Sequence, residues 1–86
     1  MTTRKLRLVR IILDVLENLD GGQLSEVVLN AEANLHITPT ATLAEFEDAL
    51  SHCDQCGWVI GITSRVNGGR KWSLSDAGTA ARLEIK

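Results

Sequence analysis

Residues 3 to 19 can form only one kind of element, a helix with too much apolar surface. Leu6, Val9, Ile12, Leu13, Leu16 and Leu19 recur at helical spacing behind a capping Thr3. Leu8, Ile11 and Val15 add a second stripe beside the first. Together they cover far more than the roughly 100° apolar arc of an ordinary surface helix. Such a helix must be covered on two sides. The cover can come from within the chain, with the C-terminal helix closing over the second stripe, or from another subunit. A domain this small struggles to bury two faces of one helix, so Leu8, Ile11 and Val15 are the expected interface of a homodimer.

The remaining elements follow from local signals. Asp20-Gly21-Gly22 stops the first helix, and Gln23-Leu24 is a short extended link. Ser25 caps a second helix over about 26–35, with Val27, Val28, Ala31 and Leu35 as its expected buried face. Thr42 followed by Glu45 is a capping box opening a third helix over about 43–56. Leu43, Phe46, Leu50 and Cys53 make its core stripe. Two alternating runs then flank Asn67-Gly68-Gly69, so a two-stranded hairpin is expected over about 58–74. Ser75 caps a final short helix over about 76–84. The expected class is α+β, mostly α, in a single domain of 86 residues.

The order helix, link, helix, helix, hairpin, helix resembles the winged helix-turn-helix superfamily over nearly the whole chain. The more specific part is Cys56-Gly57-Trp58-Val59, the Gly-Gly hairpin, and Trp72-Ser73-Leu74-Ser75-Asp76-Ala77-Gly78. That last run is similar to the aromatic-x-Leu-Ser/Thr-Asp-x-Gly segment with which the family closes its wing. The resemblance implies a three-helix core, a two-stranded wing and a short C-terminal helix. In the family's DNA binders the third helix enters the major groove and the wing touches the minor groove or backbone. One fold hosts many functions, so the site residues must decide between them.

Catalytic and metal chemistry find little support. Cys53 and Cys56 are the only cysteines and make one pair, whereas a structural zinc site uses four ligands. The pair lies at a helix C-terminus, where the dipole opposes thiolate formation, and Cys53 continues a core stripe. Asp48 and His52 are i,i+4 neighbours, an arrangement typical of a surface ion pair. Asn67-Gly68-Gly69 lacks the helix and Lys-Ser/Thr of a phosphate loop. No enzyme, cofactor or metal is expected. Trp58 and Trp72 are expected to anchor the hairpin on the core. The apolar run Ile11-Ile12-Leu13 is cut by Arg10 and Asp14, which excludes a membrane span, and no export signal is evident. The expected location is the cytoplasm.

Charge carries the functional information. Residues 1–10 hold Arg4, Lys5, Arg7 and Arg10 and no acid, while residues 11–64 hold nine acids and no Lys or Arg. Residues 65–86 hold five bases against Asp76 and Glu84. The outward residues of the third helix are Ala44, Glu45, Glu47, Asp48, Ser51, His52, Asp54 and Gln55. Four are acids, so pressing that face against phosphates is repulsive. The expectation is therefore a non-catalytic module for protein interaction or self-association, with a protein partner at the acidic third helix. The alternative is a DNA-binding regulator using Arg65, Asn67, Arg70 and Lys71 of the hairpin with Arg4, Lys5 and Arg7 of the first helix.

Overall fold

The structure is a computed structural model and describes residues 3–19, 22–63 and 69–85. Its elements are α1 (Thr3–Glu17), β1 (Leu24–Ser25), α2 (Glu26–Asn34), α3 (Leu43–Gln55), β2 (Val59–Thr63), β3 (Arg70–Leu74) and α4 (Asp76–Glu84). The class is α+β and mostly helical. The expected hairpin forms, and the short link before α2 joins it as a third strand, giving an antiparallel sheet of order β1-β3-β2. Leu24 pairs with Trp72, and Val59 through Thr63 pair with Leu74 through Arg70. The turn assigned to Asn67-Gly68-Gly69 and the stop at Asp20-Gly21 fall wholly or partly outside the described residues. No helix of the described residues is long and apolar enough to cross a membrane.

The starts of α2, α3 and α4 are where the capping residues place them, while Thr3, expected as the cap of the first helix, is already the first residue of α1. Ser25 Oγ accepts from the Val28 N–H at 3.3 Å. At Thr42 the capping box closes in both directions, Glu45 N–H to Thr42 Oγ1 at 3.1 Å and Thr42 N–H to Glu45 Oε1 at 3.0 Å. Ser75 Oγ accepts from the Gly78 N–H at 3.0 Å and donates to the Gly57 carbonyl at 2.6 Å. One serine thus caps α4 and ties it to the end of α3. Each such cap contributes about 1 kcal/mol.

The core is built around α1, which packs against α2, α3, α4 and β3. Leu8, Val9, Ile11, Ile12, Leu13, Val15 and Leu16 are all buried. This corrects the dimer interface expected on Leu8, Ile11 and Val15. Their exposures are 1%, 9% and 8%, so the chain itself covers the second stripe. On its exposed side α1 is strapped down by a charged ladder. Arg10 and Arg82 both reach Asp14, at 3.2 and 2.5 Å, and Arg10 also donates to the Ile85 carbonyl. Leu6, placed in the core stripe from its spacing, is exposed instead.

Other faces also turn out differently. On α2 the buried residues are Leu29 and Ala33, while Val27, Val28, Ala31 and Leu35 face outward. On α3 Phe46, Ala49, Leu50 and Cys53 are buried, and Leu43 is exposed. In the hairpin Val59 and Trp72 point inward, and Ile60 and Ile62 lie on the outer face. Trp72 lies across Gly61, whose added Cβ would come within 2.7 Å of the ring, so the sheet accommodates the indole only because that position is bare.

Gly78 explains the end of the Trp72–Gly78 run physically. A Cβ there would collide with the Trp58 backbone carbonyl, so only glycine lets α4 approach the end of α3 this closely. Gly78→Ala should lower unfolding stability by about 1–3 kcal/mol, the usual range for overpacking. An unchanged urea midpoint would contradict the close packing of α4.

Candidate interaction surface

The outward side of α3 is acidic, but two of its acids are engaged by α1. Arg4 Nε lies 2.6 Å from Glu45 Oε2, and Lys5 Nζ lies 3.0 Å from Asp48 Oδ2. The Arg4 guanidinium also donates to the Pro39 carbonyl at 2.8 Å, fastening the α2–α3 connector. The Arg4 hydrogen bond, with the Thr42 backbone N–H, pulls the Glu45 carboxyl down to about 2, and the same pair raises Arg4. Glu45 thus serves the helix cap and the α1–α3 contact together. Two expected nucleic-acid contacts, Arg4 and Lys5, are thereby held against carboxylates, while Arg7 is exposed nearby on α1.

The remaining acids face the hairpin. A groove of about 230 Å³ runs between α3, the start of α2 and β3. It is lined by Glu26, Glu47, Leu50, Ser51, Asp54, Arg70 and Trp72. Trp72 Nε1 donates to Glu26 Oε1 at 3.1 Å, which satisfies the one polar atom of a buried indole. The Arg70 guanidinium sits 5.9 Å from the Trp72 ring centroid, within cation–π range. Arg70 and Lys71 are both exposed, as expected for residues flanking the hairpin turn. Arg65 and Asn67, also expected there, lie outside the described residues. Arg4 and Lys5 lie beside Glu45 and Asp48 of α3, Arg70 shares the groove with Glu47 and Asp54, and Lys71 is exposed on β3.

The solvent side of α2 carries Val27, Ala31 and Leu35 in one line at i,i+4 spacing, with Val28 adjoining. Val27 is 81% exposed and Leu35 74%. Glu32 is the only charged residue on that side of the helix. Periodicity alone places this stripe on the buried side of α2, whereas Leu29 and Ala33 are the residues buried there. The signal for this was present in Asn30 and Asn34, which are half-buried on the inner side. There Asn34 Nδ2 donates to Asn30 Oδ1 at 2.9 Å, and Asn34 Oδ1 accepts from the Ala41 N–H at 2.8 Å.

Cys53 is buried, and desolvation first and the neighbouring Cys56 second push its thiol up to about 12, far from a nucleophile's range. Cys56 is exposed, with its Sγ 3.7 Å from His52 Nε2. His52 in turn meets the edge of Trp58 at 5.6 Å between ring centres. No protein-family model matches the chain, and no characterised protein is significantly similar to it.

The Glu45 shift sets a pH dependence. A carboxyl held below its ordinary 4.5 adds stability that is fully present above that value and is lost as pH falls toward about 2. Glu45→Gln keeps an acceptor for the cap and removes the charge. The melting-temperature gap between the native chain and this variant should be constant from neutral pH to about 5, then close on acidification. A gap that stays constant down to pH 2 would mean that Arg4 does not stabilise the Glu45 charge.

Proposed function

We propose that this chain is a winged-helix domain acting as a non-catalytic binding module, docking a protein partner through the acidic side of α3 or the exposed apolar row of α2. The element order, with a three-helix core and a β-hairpin between α3 and α4, supports the winged-helix reading. The observation that carries the binding reading is the state of α3. Its outward side bears Glu47, Asp48 and Asp54, and the cations nearest to it from α1 are held in ion pairs with it. A winged helix that reads DNA inserts this element among phosphates, where these carboxylates would repel. The row Val27, Ala31 and Leu35 on α2 supplies what a protein interface uses, exposed apolar side chains. The matching partner carries apolar side chains flanked by Lys or Arg.

A second reading rests on Arg70 and Lys71, which are exposed on the hairpin and suited to phosphate contact. Binding through the hairpin alone gives little base readout, so it would be salt-sensitive and indifferent to sequence.

One titration separates the two. An isotope-labelled sample is titrated with random duplex DNA and, separately, with a helical peptide of leucines on one face and lysines on the other. The protein reading predicts peptide-induced amide shifts on α2 or α3, those on α2 weakening in Val27→Lys/Leu35→Lys, and only marginal shifts with DNA. DNA binding with a steep salt slope that is lost on replacing Arg70 and Lys71, without peptide shifts on α2 or α3, would overturn it.

A further inference from the structure

We draw no further inference here: the strongest candidate, the groove between α3, the start of α2 and β3 where Glu47 and Asp54 face Arg70, is an acidic cluster with no second feature among the described residues that points to a ligand.

Discussion

Burial of α1 on most of its circumference organises this small domain. A chain of 86 residues has few ways to build a core, and here one helix touches three others and the central strand of the sheet. Each buried Leu, Ile or Val of α1 contributes about 1.5–3 kcal/mol of transfer free energy, against a total stability of only about 4–13 kcal/mol for a chain this size. What remains of α1 outside the core is mostly polar apart from Leu6, and most of its charged residues fasten neighbouring helices. Arg4 and Lys5 bind α3, and Arg10 with Asp14 binds α4 through Arg82. The helix that supplies the core also supplies the ionic fastenings to its neighbours.

That arrangement gives the charge pattern along the sequence a different meaning. A basic start followed by a long acidic middle suggests an electrostatic surface for a ligand. In the fold, Arg4 and Lys5 meet Glu45 and Asp48 of α3 within the chain, which leaves Glu47 and Asp54 facing the hairpin and Arg70. Exposed ion pairs contribute little stability one by one, so their main effect is on what the surface presents to others. The proposed role in protein binding follows from this internal neutralisation together with the apolar row on α2.

Features set by nearest neighbours in sequence were legible before the structure. Ser25, Thr42 with Glu45, and Ser75 each place a helix start, because capping uses groups within three residues. The third strand was visible only as an extended link, because its two residues gain their identity by pairing with β3. Facing was read less well. Val27, Val28, Ala31 and Leu35 look like a core stripe by periodicity, yet Asn30 and Asn34 occupy the inner side because they bond to each other and to the connector. Arg82 reaching Asp14 and Glu26 reaching Trp72 join residues 68 and 46 positions apart, and no spacing rule marks such pairs. The acidic side of α3 was legible because its exposed residues differ in kind from its core residues. The engagement of two of those acids by Arg4 and Lys5 was not.

The central claim is that α1 is covered by its own chain, including the stripe that sequence alone assigns to a partner. Ile11 and Leu6 separate the possibilities, because the first is buried within the chain and the second is exposed. Urea denaturation of Ile11→Glu and Leu6→Glu, followed by circular dichroism, measures the difference directly. An unpaired carboxylate forced into the core costs several kcal/mol, enough to remove much or all of the stability of a domain this small. The account predicts that Ile11→Glu loses its cooperative transition or unfolds at much lower urea, while Leu6→Glu stays within about 0.5 kcal/mol of the native chain. An Ile11→Glu chain that unfolds cooperatively at the native midpoint would contradict it and return that stripe to the surface.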